Sequence, residues 1–173
     1  MSVPEIEVEN RKKIYEIIEE YPGLHMREIK RRADMSMNLV RYHLDQLKKY
    51  DIVSEEEEDE YKRYYPREGE KKVDLRDRKM LGLLRKKIPL SVVLFLLNQD
   101  GSASHGEIKE KLEVPASTLS YHLKKMMKKG MLEKADGEYI LTDPDGVMRL
   151  LITYEPPQDI VDEFIDLWES LSL

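Results

Sequence analysis

The chain has 173 residues and a formal net charge of −6, with 37% charged and 40% hydrophobic residues. That length allows one medium domain or two small ones, and so polar a chain builds a core only where its apolar residues recur at regular spacing. The longest apolar run, residues 92–97, is far short of the ~18 that span a bilayer, and the absence of cysteine excludes disulfides, thiolate nucleophiles and sulfur-ligated metals.

In chain order, Ile14, Ile17 and Ile18 share one face of a helix predicted over residues 10–20, with Asn10 as its N-cap. Tyr21-Pro22-Gly23 ends it. A short helix over 26–33 follows, then a corner at Asp34-Met35 and a longer helix over 36–50, in which Val40, Leu44 and Leu47 face inward. Ile52-Val53 opens a strand, the acidic run over 55–60 forms a turn, and residues 61–65 return as a second strand closed by Pro66. Residues 73–88 read as a linker helix, with Leu75, Met80, Leu83 and Leu84 available for packing. Pro89 is placed at N1 of a helix ending at residue 97, before the break at Asp100-Gly101-Ser102. Next come a short helix over 104–112, a corner at Glu113-Val114, a helix over 115–129 and a stop at Gly130. Strands over 131–134 and 138–142 flank Asp136-Gly137. Residues 144–154 form a short helix. Beyond Pro156-Pro157, a helix over 158–173 carries Ile160, Val161, Phe164, Ile165, Leu167, Trp168 and Leu171 on one stripe.

The two halves repeat. Glu28-Ile29-Lys30 recurs as Glu107-Ile108-Lys109, and Tyr42-His43-Leu44 as Tyr121-His122-Leu123, both at an offset of 79 residues. Two copies are too few for a solenoid and read as two small domains of one type. Helix, short helix, corner, longer helix and hairpin is the order of a winged helix-turn-helix. The expected fold is mainly α with small β-hairpins (α+β). Winged domains occupy 1–72 and 89–143, a linker helix 73–88, and a helical dimerisation segment 144–173.

Residues 24–44 and 104–123 resemble winged-helix regulators of the ArsR/MarR type, and Ser117-Thr118-Leu119-Ser120-Tyr121-His122-Leu123 resembles the ArsR-like recognition helix. The opening Tyr21-Pro22-Gly23-Leu24-His25 and the wing from Glu60 to Pro66 resemble archaeal tandem winged-helix regulators, one family of which activates archaellum genes. The resemblance covers residues 10–67 and 88–143. It implies double-stranded DNA as partner and dimerisation through terminal helices, so a homodimer with four winged helices is expected. Metal-sensing relatives use a cysteine pair, or carboxylate and histidine ligands near a C-terminal helix. Cysteine is absent here, and His25, His43, His105 and His122 form no His-x-x-x-His pair. No metal and no cofactor is expected, and His43 and His122 read as half-buried residues beside the corners.

A helix in the major groove presents the face opposite its core stripe. In the first copy that face offers Met37, Asn38, Arg41, Tyr42, Asp45 and Lys48, of which Asn38 and Arg41 suit bidentate pairing with adenine and guanine edges. Asp45 would repel a phosphate. Arg27, Lys30, Arg31 and Arg32 on the short helix suit backbone contact, and Lys62 and Arg63 are candidates from the wing. In the second copy the face offers Ala116, Ser117, Thr118, Ser120, Tyr121, Lys124 and Lys125, with Lys128 following the backbone. The competing reading of these basic residues is an ordinary solvated face.

Charge is unevenly placed: residues 76–143 hold 13 Lys and Arg against 9 Asp and Glu, whereas 144–173 hold one against seven. Local fields decide partner choice more than the total. The acidic run reads as a solvated loop or as a contact for a basic protein such as a basal transcription factor or RNA polymerase. The apolar face of the C-terminal helix (Ile160, Phe164, Leu167, Trp168 and Leu171) is assigned to dimerisation, with packing within the chain as the alternative. No glycine-rich phosphate loop or nucleophile–base constellation stands out, so no enzyme is expected. The rival to a sequence-specific DNA-binding regulator is a protein-interaction module without DNA readout. The N-terminus lacks the layout of a signal peptide, so a cytoplasmic location with no membrane partner is expected.

Overall fold

Apolar residues three and four apart along the first fifty positions build three helices, and each buries one stripe against the others. The computed structural model describes residues 3–69 and 72–154. The chain divides into two units, Met1–Arg78 and Lys79–Leu173. Each carries a winged-helix arrangement of helices and a small antiparallel sheet.

Unit 1 comprises α1 (Val3–Glu20), β1 (Leu24–His25), α2 (Met26–Ala33), α3 (Met37–Lys49), β2 (Val53–Glu58) and β3 (Tyr61–Pro66). Ile14 and Ile18 of α1, Ile29 and Ala33 of α2, and Val40, Leu44 and Leu47 of α3 join Leu24, Val53 and Tyr64 in one core. α1 begins seven residues before the expected start, so Asn10 lies inside the helix and is not its cap.

The sheet order is β1-β3-β2, with Leu24 opposite Tyr64, and Glu56 and Glu57 opposite Arg63 and Lys62. The acidic run is therefore mostly strand, and the turn shrinks to Asp59-Glu60, where Asp59 is left-handed at φ 58°. Basic residues across the ladder make a strand of four glutamates tolerable, since opposite charges on facing positions attract.

Gly23 closes the turn between α1 and β1 at φ +88°, and a Cβ there would lie 3.2 Å from the Tyr65 hydroxyl. Gly23→Ala is expected to cost about 1–2 kcal/mol, because the backbone sits in a region L-residues avoid. Urea denaturation of the two proteins checks this, and an unchanged midpoint would contradict it.

Helix α4 (Leu75–Leu84) spans the boundary between the units. Unit 2 continues with α5 (Lys87–Asn98), β4 (Ser102–Ser104), α6 (His105–Leu112), α7 (Ala116–Lys128), β5 (Leu132–Ala135), β6 (Glu138–Leu141) and α8 (Pro144–Thr153). Its sheet order, β4-β6-β5, repeats that of unit 1. The expected linker helix is interrupted at Arg85-Lys86, so Lys87 and Ile88 begin α5 and Pro89 occupies N3 rather than N1. N3 accepts proline because its N–H has no partner within the helix. Leu83 and Leu84 are buried as expected, but Leu75 is 71% exposed. No helix among the described residues is long and apolar enough to cross a membrane.

Candidate nucleic-acid interface

Both corners are built by the same backbone device. Asp34 ends α2 at φ 54° and Glu113 ends α6 at φ 52°, both left-handed and 79 positions apart. A single left-handed residue reverses the chain within one position, so the longer helix crosses the shorter one. The start of each short helix is also fixed alike, by a capping box. The Glu28 N–H donates to His25 Nδ1 at 3.4 Å, and the His25 N–H donates to the Glu28 carboxylate at 3.0 Å. In unit 2 the Glu107 N–H donates to Ser104 Oγ at 3.3 Å, and the Ser104 N–H returns to Glu107 at 2.8 Å. Ser36 caps α3 by accepting from the Leu39 N–H.

On α3, Asn38, Arg41, Tyr42 and Asp45 are exposed, and so are Arg27, Lys30 and Arg31 on α2. Beside them a cleft of about 340 Å³ opens between the two helices and the hairpin, lined by His25, Arg27, Met37, Arg41, Tyr61 and Lys62 among others. The His25 and Tyr61 rings stack there at 5.7 Å. Neither ring was assigned to the interface from sequence. The missing signal is β1, whose two residues are too few to show alternation; its pairing to β3 is what sets His25 against the hairpin.

The hairpin cations are less available than expected. Lys48 and Lys62 both donate to Glu55, at 2.6 and 2.8 Å, and Lys48 also lies 3.3 Å from Asp45. Burial works against the Glu55 carboxylate, yet hydrogen bonds from the two lysines hold its pKa below the ordinary range. Arg63 is corrected outright. It is 3% exposed, its Nε donates to Glu58 and its Nη1 donates to the Gly23 carbonyl at 2.7 Å, so it holds the sheet together and is not presented to a duplex. Glu56 is paired as well, to Arg78 at 2.7 Å. Glu55, Glu56 and Glu58 of the run are thus matched by cations of the same unit.

On α7, Leu119, Leu123 and Met126 are buried, whereas Ser117, Ser120, Tyr121, Lys124 and Lys128 are exposed and Thr118 and Lys125 are half-buried. Lys125 Nζ lies 4.7 Å from the centre of the Tyr121 ring. Ser120 Oγ lies 3.0 Å from His105 Nε2, a link between α7 and α6. Between β5 and β6 the wing tip is Asp136-Gly137, without a cation.

The histidines of the long helices differ from expectation in degree. His43 is fully buried, and His122 is half-buried. Burial pushes both imidazoles below their ordinary pKa, aided by Arg11 at His43 and by Lys86 and Lys125 at His122. The dimerisation residues Ile160, Phe164, Leu167, Trp168 and Leu171 lie outside the described residues.

Comparison with known proteins follows the same division. Residues 8–81 match a family model described as an N-terminal HTH domain, and residues 91–134 match the family described as bacterial regulatory protein, arsR family. The chain is also similar to the "uncharacterized HTH-type transcriptional regulator MJ1398" of Methanocaldococcus jannaschii. Identity is 27% over 135 residues, which is 77% of this chain and 32% of that protein. The chain spans about a third of the length of the curated relative it matches.

Proposed function

We propose that this chain, which carries two helix-turn-helix domains in tandem, is a double-stranded DNA-binding transcriptional regulator that reads sequence and acts as a homodimer. One observation carries the reading. Twice, 79 residues apart, a short capped helix and a left-handed corner support a longer helix with an apolar inner stripe and an exposed polar outer face. Such a helix fits the width of a major groove.

The contacts fall into two classes. Arg27, Lys30 and Arg31 on α2, and Lys124, Lys125 and Lys128 on α7, meet phosphates. Asn38, Arg41 and Tyr42 on α3, and Ser117, Thr118, Ser120 and Tyr121 on α7, face base edges. Lys48 and Lys62 are peripheral phosphate contacts, because each is already engaged by Glu55. The dimer reading draws support from exposed Met148 and Ile152 on α8 and from the apolar spacing over 160–171 in the sequence. None of the matched descriptions is of an enzyme.

The test is selection of bound duplexes from a random pool, followed by titration of the enriched sequence over a range of salt. Log affinity is expected to fall with log salt by several units, since each phosphate neutralised contributes about −0.9. Lys124→Ala should weaken enriched and unrelated duplexes alike and reduce the slope by about one. An inverted repeat among the enriched sequences, with light scattering at twice the chain mass, supports the dimer. No enrichment and a flat salt response would overturn the reading in favour of a protein-interaction module.

A further inference from the structure

We infer that base discrimination resides in unit 1, through Arg41 and Asn38 on α3, and that unit 2 grips the duplex without sequence preference. The inference rests on the DNA-binding reading and divides its labour between the two copies. It follows from setting the two units side by side at their common offset.

In unit 1 the outer face of α3 carries Asn38 and Arg41, and both are exposed. These side chains present paired hydrogen-bonding groups that match adenine and guanine edges in the major groove. The same positions in unit 2 hold Ser117 and Ser120. A serine hydroxyl donates or accepts and therefore tolerates several bases. Ser120 is moreover drawn to His105 at 3.0 Å.

Charge along the helices points the same way. Asp45 on α3 is replaced by Lys124 on α7, and Gln46 by Lys125. Asp45 turns the middle of α3 away from a phosphate track, which leaves Asn38 and Arg41 in the first half of the helix to enter the groove. Lys124 and Lys128, four apart on one face of α7, run along such a track.

The cleft is the third difference. Its cations are Arg27 and Arg41, with Lys62 engaged by Glu55; Glu60 is the acid among its lining, and its aromatic wall is the stacked pair of His25 and Tyr61. The register that places Leu24 opposite Tyr64 in unit 1 places Ala103 opposite Tyr139 in unit 2. By that register Tyr61 and Lys62 correspond to Asp136 and Gly137, and by the helix offset Arg27 corresponds to Gly106. Every cation of the cleft is thus replaced in unit 2 by a small or hydroxylated residue. A cationic cleft beside the base-facing end of α3 holds the backbone strand next to the bases that Arg41 and Asn38 read, and so fixes their register.

The experiment repeats the random-pool selection with the full chain and four variants. Arg41→Ala is expected to lose preference at a guanine position by about 10- to 100-fold, while binding to unrelated duplex falls less than threefold. Asn38→Ala should relax a different position by a similar factor. Ser117→Ala and Tyr121→Ala should return the wild-type motif, with lower affinity for every sequence. An enriched motif that survives both α3 variants, or a position lost with either α7 variant, overturns this inference and leaves the DNA-binding reading intact. A wild-type pool without enrichment overturns the reading and the inference together, and duplex binding at low salt then separates a non-specific binder from a protein that does not bind DNA.

Discussion

Arg63→Ala should destabilise the chain by about 3 kcal/mol and lower its melting temperature by more than about 10 °C, the scale for a domain of this size. The side chain is almost wholly enclosed at 4% exposure, and its Glu58 partner is at 13%. The guanidinium donates through Nε to Glu58 on β2 and through Nη1 to the Gly23 carbonyl in the turn before β1. One side chain on the central strand therefore ties both neighbours of the sheet, and truncation takes one enclosed donor from a carboxylate and one from a carbonyl. Thermal denaturation, with amide exchange read at the β3 residues, locates the effect. The Arg63→Met, Glu58→Leu double variant removes both charges and should recover most of the loss, because the penalty lies in the abandoned partner. A loss below about 1 kcal/mol for Arg63→Ala would show that water replaces the contact. DNA affinity measured well below the melting transition should hardly change, which distinguishes this arginine from Arg41.

Arg63 also marks what sequence reading resolves and what it leaves open. The helices were legible because burial at 3.6-residue spacing is a local property, and Val40, Leu44 and Leu47 or Leu119, Leu123 and Met126 display it directly. The repeat doubled that signal. The hairpin ladder was less legible because pairing is non-local. Four consecutive glutamates contradict strand propensity until Lys62 and Arg63 are seen across from them and Arg78 reaches Glu56 from beyond the hairpin. The same blindness placed Arg63 among the DNA contacts, since a cation beside a turn looks solvated until the third strand covers it. That Asn38 and Arg41 lie on the exposed outer face of α3 was legible from the helix period. The cleft beside them was not, because it depends on how β1 pairs.

A second large effect is expected at α3. His43 sits on the inner face of α3 with 0% exposure, and neither ring nitrogen has a hydrogen-bond partner among the described residues. Its neighbours include the edge of the Tyr42 ring at 5.1 Å and, from α1, the charges of Arg11 and Glu7; Arg11 Nε is itself buried with no hydrogen-bond partner among the described residues. Burial, and then Arg11, lower the imidazole pKa in the folded chain, while Glu7 acts weakly against them. Above the ordinary value of about 6.5 the ring is neutral folded or unfolded, and protonation contributes nothing to stability. As pH falls through that value, the unfolded chain takes up a proton that the folded chain refuses, so stability declines until the lower folded pKa is reached. His25 and His122 are lowered in the same direction and add to the decline. His43→Leu, close in volume and without polar atoms, should gain about 1–2 kcal/mol at pH 7.5, because two unsatisfied nitrogens leave the core. Its advantage should widen at pH 5, where only the wild type has a proton to exclude at this position. Urea titrations at the two pH values measure both quantities. A gap that is equal at pH 5 and pH 7.5 would mean that the buried ring accepts its proton as readily as water allows, and a lower midpoint for the variant at both would mean that the nitrogens are satisfied after all.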